Sequence, residues 1–142
     1  MSESASREQI VAAGALWCRL VSKSDFGQLE ALVADDFTCR RADGKTEERS
    51  EWLAGLGTDP RKADMTAPSV WLFDSLAVLT FHQRQTLSCS FTYLQEHGVA
   101  MEAGVSSPTE LTMHVDLESL QVWTARGDRL TLTSHEEWLA YG

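Results

Sequence analysis

Cysteine, basic charge and long apolar runs are all scarce in this sequence, and each scarcity excludes a class of protein. Three cysteines among 142 residues, with no CxxC pair, argue against a disulfide framework and suit buried thiols in a reducing compartment. No apolar run approaches the ~18 residues of a membrane-spanning helix, and the N-terminus is too polar for a signal peptide. The net charge of −9 repels phosphate backbones and anionic lipids. We therefore expect a cytoplasmic protein with no nucleic-acid or membrane partner.

Length and composition predict one domain spanning residues 1–142, with residues 1–6 disordered. Hydrophobic residues make up 43% of the chain and charged residues 23%, which are ordinary values for a globular protein. A chain of this length buries roughly two-thirds of its unfolded surface, so it can fold without disulfides or a structural metal.

Two amphipathic helices are predicted near the N-terminus, and a third follows a hairpin. Apolar side chains recur at three- and four-residue steps over residues 10–21, which places them on one helical face. Ser24 is a candidate N-cap for a second helix ending at Asp35. Ser50 is a candidate N-cap for a third helix over residues 51–56.

The remainder of the chain is predicted to form antiparallel strands. Asp43-Gly44 is typical of a type I′ hairpin turn, and residues 58–64 are predicted to be a polar loop. The predicted strands cover residues 37–41, 45–47, 69–73, 76–86, 111–124 and 129–135, with a tail over residues 136–142. Residues 87–110 have little pattern, and an insertion of that length is often a lid or an interface element.

This order of elements resembles the nuclear-transport-factor-2-like (NTF2-like) superfamily. The most similar stretches are SDFGQLEALVADDF, ADGKTEERSEWLAGL and VWTARGDRLTLTSH, within a resemblance that runs from about Ile10 to His135. Small stand-alone members of the polyketide-cyclase-like and calmodulin-kinase-association-like kinds are the most alike. The resemblance implies an α+β fold, a cone-shaped curved antiparallel sheet packed on three N-terminal helices, and a homodimer formed through the outer sheet face. The fold hosts isomerases, dehydratases, carriers and association domains, so it does not determine the chemistry.

Ketosteroid isomerases allow a residue-by-residue comparison within that superfamily. The resemblance puts their oxyanion-binding Tyr at Trp17, their Asp base near Arg41 and their protonated Asp near Ser119. An indole is not a phenol, and Arg cannot act as a base at neutral pH. We therefore expect no isomerase chemistry of that type.

His114, Asp116 and Glu118 alternate along a predicted strand, so their side chains share one face. An imidazole beside a carboxylate can transfer protons, which makes His114 and Asp116 the catalytic candidates. The alternative is an exposed polar half of a strand whose buried residues are Leu120 and Val122. No Gly-rich phosphate loop, nucleophile elbow or HExxH motif occurs, so no cofactor or metal is expected.

Four further polar residues are candidates for ligand binding. His82 and Arg84 alternate on an earlier strand, and Arg84 would anchor a carboxylate or phosphate if their face lines the interior. If that face points outward, the pair is solvated or lies at a dimer contact, and strand parity does not decide between these. Arg41, near the predicted mouth, and His135, at the end of the last strand, complete this set, unless His135 is structural.

Five tryptophans are many for this length. Trp17 and Trp52 lie on helix faces predicted to point inward, where they either wall an apolar ligand pocket or fill the core. Trp123 is predicted to be an interface anchor, because large aromatic residues are enriched in subunit contacts.

Together these patterns predict a small-molecule-binding domain whose ligand is small and apolar or weakly acidic. One alternative is a cofactor-independent acid–base enzyme of the cyclase, dehydratase or isomerase type, which requires titratable groups converging in the interior. The other is a homodimeric protein-association module, for which an exposed apolar patch is the signature.

Overall fold

The described part of the chain forms three helices and six strands. The structure, a computed structural model, describes residues 6–56, 61–90, 110–126 and 129–140. The elements in chain order are α1 (Arg7–Lys23), α2 (Phe26–Leu32), β1 (Val33–Arg40), β2 (Thr46–Glu48), α3 (Arg49–Gly55), β3 (Arg61–Leu72), β4 (Leu76–Ser90), β5 (Glu110–Arg126) and β6 (Arg129–Leu139). None of the helices in these residues is long and apolar enough to cross a membrane.

All six strands form one curved sheet in the order β2-β1-β6-β5-β4-β3. The neighbouring strands are antiparallel except β1 and β6, which are parallel, so the sheet is mixed rather than wholly antiparallel as predicted. Parallel neighbours need a long crossover, which the chain between β1 and β6 provides. α1 packs against β3 and β4, while α2 and α3 both contact β1. The predicted α+β architecture of a curved sheet on three helices is confirmed.

The ends of α1 are defined by short-range hydrogen bonds. Ser6 Oγ accepts from the Gln9 backbone N–H (3.2 Å) and Gln9 Oε1 accepts from the Ser6 N–H (2.8 Å), which forms a capping box. Ser24 is the C-cap of α1 and has a left-handed backbone with φ 52°. The predicted N-cap role of Ser24 is therefore wrong, and Asp25 caps α2 instead by accepting from the Gln28 N–H.

The boundaries of α2 and α3 also differ from the sequence prediction. α2 ends at Leu32, and Val33 already begins β1 because its backbone is extended. Glu48, rather than Ser50, is the N-cap of α3, and its N–H donates to Glu51 Oε1 at 3.1 Å. Local side-chain bonding thus starts α3 two residues earlier than predicted.

A tight hairpin joins β1 to β2, as predicted. Gly44 has φ 90°, and its N–H donates to the Arg41 carbonyl at 2.9 Å. Gly44 is the one residue of this turn with a positive φ among those described, so the turn is not the predicted type I′, which needs two. Asp43 instead contributes through its side chain, which accepts from the Lys45 N–H.

β3 begins at Arg61 and so occupies part of the predicted loop over residues 58–64, which corrects that prediction. A bulge at Ala67 and Pro68 interrupts its pairing with β4, and Ala67 has φ 52°. Bulges and prolines are typical of edge strands, where they discourage pairing with another chain. The residues before the bulge are mostly polar, which is why the sequence pattern predicted a loop there and not a strand.

α1 covers the free edge of β3 with two side chains. The Arg7 guanidinium donates to the Val70 carbonyl at 3.0 Å, and the Ala63 N–H donates to Ser22 Oγ at 2.9 Å. These bonds pair backbone groups on the side of β3 that faces away from β4, its neighbour among the described strands. They also fix the position of α1 over the sheet.

The C-terminal strands are longer than predicted. β6 continues to Leu139, so Trp138 lies on a strand and not in the predicted tail. β4 extends to Ser90 and β5 starts at Glu110, while residues 91–109 of the unpatterned segment lie outside the described residues. The lid or interface role of that segment stays a prediction, as does the assignment of the whole chain to one domain.

We call the sheet face that carries α1 the inner face and the opposite face the outer face. Leu79 and Phe81 of β4 point to the inner face and are fully buried. α1 approaches this face closely at Gly14, where an added Cβ would lie 2.4 Å from Leu79 Cδ2 and 2.7 Å from Met65 Cε. Glycine allows this contact because it has no side chain.

Candidate functional site

The inner face has an apolar end and a polar end. Near the β3–β4 hairpin it carries buried apolar side chains, including Ala77, Leu79 and Trp123. Farther along the same strands the buried side chains become polar. This polar end consists of Gln83, Gln85, Ser119, Gln121, His135 and Glu137, each no more than 7% exposed. Buried polar groups are costly unless they are hydrogen-bonded, so their bonding is informative.

One hydrogen-bonded chain connects buried side chains of β5 and β6. Trp123 Nε1 donates to Gln121 Oε1 (3.0 Å), Gln121 Nε2 lies 3.1 Å from His135 Nδ1, and His135 Nε2 lies 2.8 Å from Glu137 Oε1. An indole nitrogen can only donate, so it fixes the orientation of the Gln121 amide and makes His135 Nδ1 an acceptor. We infer that His135 carries its proton on Nε2 and donates it to the Glu137 carboxylate.

A second chain joins the remaining polar-end residues. Gln85 Nε2 donates to Gln83 Oε1 at 2.7 Å, and Gln83 Nε2 donates to Ser119 Oγ at 2.9 Å. Ser119 is the direct cross-strand partner of Glu137, so the two chains are adjacent. The polar end is therefore an oriented array of hydrogen bonds rather than a set of isolated polar side chains.

Aromatic rings from the helices and β1 lie against this array. The Trp17 ring centroid is 4.4 Å from that of His135 and 6.4 Å from that of Trp52, and Phe37 lies 4.9 Å from Trp52. These separations are those of packed aromatic pairs. Trp17 Nε1 is buried and has no hydrogen-bond partner among the described residues. The aromatic group thus brings an unpaired donor to the polar end.

Burial and nearby carboxylates both affect the titratable groups of this region. The pKa of the Cys18 thiol is raised to about 12, first by burial and then by the charges of Asp64 and Glu137. The thiol is therefore protonated at neutral pH and is a poor nucleophile. Arg41 is partly buried and forms an ion pair with Glu47 through Nε. Burial acts to lower the pKa of Arg41, but the hydrogen bond to Glu47 and nearby negative groups outweigh it, so that pKa is raised.

Four of the predicted ligand-binding residues lie at or beside the polar end. Trp17 and Trp52 are 2% exposed and His135 is fully buried, so all three are internal. Arg41 directly follows Arg40, the last residue of β1. Cys39, one residue before Arg40, pairs with His135, so Arg41 lies beside the same end of the sheet. Their binding roles stay predictions.

The other four predicted site residues share the outer face: His82, Arg84, His114 and Asp116. His82 Nδ1 lies 3.2 Å from Glu118 Oε1, and its Nε2 lies 3.3 Å from Asp116 Oδ1. The hydrogen bonds to Glu118 first and Asp116 second raise the pKa of His82. His114 Nδ1 lies 3.1 Å from Thr86 Oγ1. The catalytic role predicted for His114 and Asp116 stays a prediction, and these residues do not share a face with His135.

Sequence reasoning missed five polar-end residues, namely Gln83, Gln85, Ser119, Gln121 and Glu137. The available signal was the alternation of side chains along β4. Leu79 and Phe81 are buried, and Gln83 and Gln85 follow them at the same two-residue spacing and so share their face. The prediction of Trp123 as an interface anchor is wrong, because this side chain is fully buried. Its indole is engaged instead in orienting the Gln121 amide.

Other parts of the described surface bring fewer polar side chains together. Open grooves of about 440 and 650 Å³ lie on either side of Asp35 and Asp36. Arg49 lines one groove and Arg129 the other, but each donates at 2.8 Å to a carbonyl group of α2. Among the described residues, no group of three or more His, Cys, Asp or Glu is placed to hold a metal ion. The polar end is therefore the candidate site.

Comparison with known proteins identifies the fold. No family model matches the chain, and no curated protein sequence matches it. It is similar in structure to an NTF2-like protein from Cytophaga hutchinsonii, with a TM-score of 0.74 and 13% identity over 95% of this chain and 98% of the other. A proposed dehydratase of the NTF2-like family from Streptomyces avermitilis gives a TM-score of 0.73 and 14% identity over 95% and 96%.

The CamKII hub homology domain of Chlamydomonas reinhardtii is also similar, with a TM-score of 0.65 and 14% identity over 93% of this chain and 96% of the other. Similarity at these identities establishes a shared fold and no shared activity. The chain therefore has the NTF2-like fold, and the structural neighbours confirm the resemblance found in the sequence.

Proposed function

We propose that this NTF2-like domain binds a compact small molecule at the polar end of its inner face. The observation that carries the proposal is the collection of six buried polar side chains at one end of an otherwise apolar surface. Burying such groups contributes little net stability even when every one is hydrogen-bonded. Natural cores depart from apolar packing mainly at functional sites, which supports a binding role for this one.

A cavity-filling variant tests the location of the site. We expect the longer side chain of Ser119→Met to occupy the space of the ligand. The variant should still fold, but compounds that raise the melting temperature of the wild type should no longer raise that of the variant. Thr80→Met is the matched control, because Thr80 lies on the outer face of the neighbouring strand. Ligand at a hundred times its Kd stabilises a protein by about 2.7 kcal/mol, which is a shift of several degrees.

The stability of Ser119→Met distinguishes an interior with space for a ligand from an interior that is fully packed. If no space exists there, the extra methylene groups overpack the core and lower the free energy of unfolding by ~1–3 kcal/mol. A strongly destabilised Ser119→Met, together with a wild type that no compact compound stabilises, would contradict the proposed binding function.

The second candidate is an acid–base enzyme, and the His135–Glu137 pair favours it. A carboxylate with an oriented imidazole donor is a suitable acceptor for a proton from a weakly acidic C–H group. Incubation of ketone ligands in D₂O tests this directly, since reversible proton removal replaces the hydrogen next to the carbonyl with deuterium. We expect Glu137→Gln to abolish exchange if the pair acts. Loss of exchange in His114→Asn or Asp116→Asn instead would assign the chemistry to the outer face.

We also propose that two copies associate through the outer face, the expectation that the resemblance raised. Trp71 and Trp138 are exposed on this face at 52% and 41%. Large exposed aromatic residues are typical of subunit contacts and of association modules. Trp71→Ser with Trp138→Ser should shift sedimentation toward the monomer, whereas Phe26→Ser on α2, with Phe26 45% exposed, should not.

A cytoplasmic location is proposed on the cysteine pattern. Cys18 is a buried free thiol in the structure, which suits a reducing compartment. Fractionation of cells expressing the full chain tests this, and recovery with membranes or in an oxidising compartment would contradict it.

A further inference from the structure

Trp17 contains a buried hydrogen-bond donor that the described residues leave unpaired. Its side chain is 2% exposed, and its Nε1 has no hydrogen-bond partner among them. The indole nitrogen can donate one hydrogen bond and cannot accept one. Buried donors of this kind are rare in native proteins and costly, and each calls for an explanation. Trp123, a tryptophan of the inner sheet face, is paired with Gln121 and shows the ordinary arrangement.

We propose that the Trp17 indole N–H donates to a neutral carbonyl oxygen of the ligand, so that the site takes compact aromatic ketones, aldehydes, esters or amides. This inference rests on the proposed binding function and specifies its ligand. Only a ligand with an acceptor atom removes the cost of the unpaired donor. A purely apolar ligand of the same shape would leave that donor buried and unpaired.

The charge around Trp17 selects a neutral acceptor over a carboxylate. Glu137 is buried nearby and bonded to His135, whose ring packs on Trp17. The neighbouring Cys18 thiol has a raised pKa partly because Asp64 and Glu137 are negative, so the surroundings disfavour another anion. Arg41, a candidate counter-ion beside this end of the sheet, is already paired with Glu47. A weakly acidic ligand would therefore bind in its neutral form.

The shape of the ligand is suggested by the aromatic rings packed on and near the Trp17 ring. His135 lies on one side of Trp17 at 4.4 Å between ring centroids, and Trp52 stacks with it at an interplanar angle of 13°. Phe37 packs in turn on Trp52. Flat aromatic surfaces of this kind favour a planar body, since offset and tilted ring contacts add to the ordinary gain from apolar burial.

A pair of matched probes tests the donor separately from the site. Acetophenone and isopropenylbenzene have nearly the same shape, but only the ketone offers an acceptor. We expect wild-type protein to bind acetophenone about tenfold more tightly than isopropenylbenzene. In Trp17→Phe, which keeps a ring and removes the N–H, we expect the two affinities to be equal. Trp71→Phe, on the outer face, should keep the wild-type ratio.

The ratio of the two affinities is insensitive to any loosening of the site, because the smaller phenyl ring in the Trp17→Phe variant would weaken both probes alike. Binding of both probes with equal affinity by the wild type would overturn the inference while leaving the proposed binding function intact. Failure of both probes to bind would overturn the inference and the proposed function together. Benzoate should bind more weakly than acetophenone at neutral pH, and the opposite order would contradict the neutral-acceptor requirement.

An indole resonance gives a second readout that does not depend on a variant. In a ¹H–¹⁵N spectrum the Trp17 indole proton should move downfield on addition of acetophenone, because a hydrogen bond deshields it. Isopropenylbenzene should not produce that downfield shift. An unchanged Trp17 indole proton at saturating acetophenone would overturn the inference even if the ketone binds.

Discussion

The two faces of this sheet carry the same kinds of residue in opposite environments. His135 on the inner face is fully buried, and both of its ring nitrogens are held by side chains. His82 on the outer face lies between two carboxylates that water also reaches. An internal histidine has a fixed proton position, whereas an exposed one exchanges protons with solvent. The comparison indicates that burial and hydrogen-bond partners, rather than residue type, distinguish a histidine of the candidate site from a histidine of the charged surface.

The largest expected difference between the faces is in tryptophan. Trp123 is fully buried and Trp71 is half exposed. We expect Trp123→Ala to lower the free energy of unfolding by about 3–5 kcal/mol, through lost burial and the cavity left behind. Trp71→Ala should change it by less than about 0.5 kcal/mol at concentrations too low for self-association. Urea unfolding measures both, and comparable losses would contradict the assignment of the faces.

The next largest effect concerns the hydrogen-bonded chain of the polar end. Gln121→Leu nearly preserves volume but leaves both the Trp123 N–H and His135 Nδ1 without their partner. We expect a loss of about 2–4 kcal/mol, since each unpaired buried group costs ~1–3 kcal/mol. Gln28→Leu is the control, because Gln28 is exposed on α2 and should lose under about 0.5 kcal/mol. Unaltered stability in Gln121→Leu would show that this chain is not formed.

Two helical glycines allow the same substitution to be compared at a packed position and at an open one. Alanine favours a helix by about 1 kcal/mol over glycine. At Gly14 the new methyl group would collide with Leu79 and Met65, so we expect a net loss of about 1–2 kcal/mol. At Gly27 the nearest atom is Asp25 Oδ1, 4.0 Å away, and we expect a gain of about 0.5–1 kcal/mol. Thermal unfolding of both variants checks the opposite signs.

The smallest effect is the pH dependence of the outer face. Because the pKa of His82 is raised in the folded state above 6.5, its stabilising contribution is fully present below about pH 6.5. That contribution is lost as the pH rises through the folded-state pKa. Glu118→Gln should lower the pKa of His82 more than Asp116→Asn, since the bond to Glu118 is the larger cause. An NMR titration of His82 gives the order, and equal or reversed shifts would contradict it.

Local patterns in the sequence were sufficient for much of the fold. The periodicity of α1 predicted an inward Trp17, and the pattern of α3 predicted an inward Trp52, and both side chains are buried. The turn at Gly44 was equally visible, because glycine readily supplies a positive φ. Such features depend on residues a few positions apart, which a sequence displays directly.

The candidate site was harder to predict because it depends on strand parity. In β5, Leu120 and Val122 were predicted to be buried, but they pair with Thr80 and Val78 on the outer face. The buried residues of this part of β5 include the polar Ser119 and Gln121. A polar end on the inner face, opposite apolar residues of the outer face, reverses the usual pattern there, and a shift of one residue exchanges the faces.

The hydrogen-bond partners of the site were not predictable at all from local pattern. Gln121 reaches His135 on the next strand, and Ser22 of α1 reaches Ala63 of β3. Contacts of this kind depend on strand register and on how α1 lies on the sheet. Only the folded chain brings these groups together.

Histidine-ring NMR during a titration with acetophenone tests the central claim most directly. Labelled histidine gives signals for all four histidines, and His82→Gln, His97→Gln and His114→Gln identify three of them, so that the remaining signal is that of His135. We expect the His135 ring signals to move with ligand concentration while those of His82 and His114 stay in place. Movement of the His82 or His114 signals with His135 unchanged would contradict it.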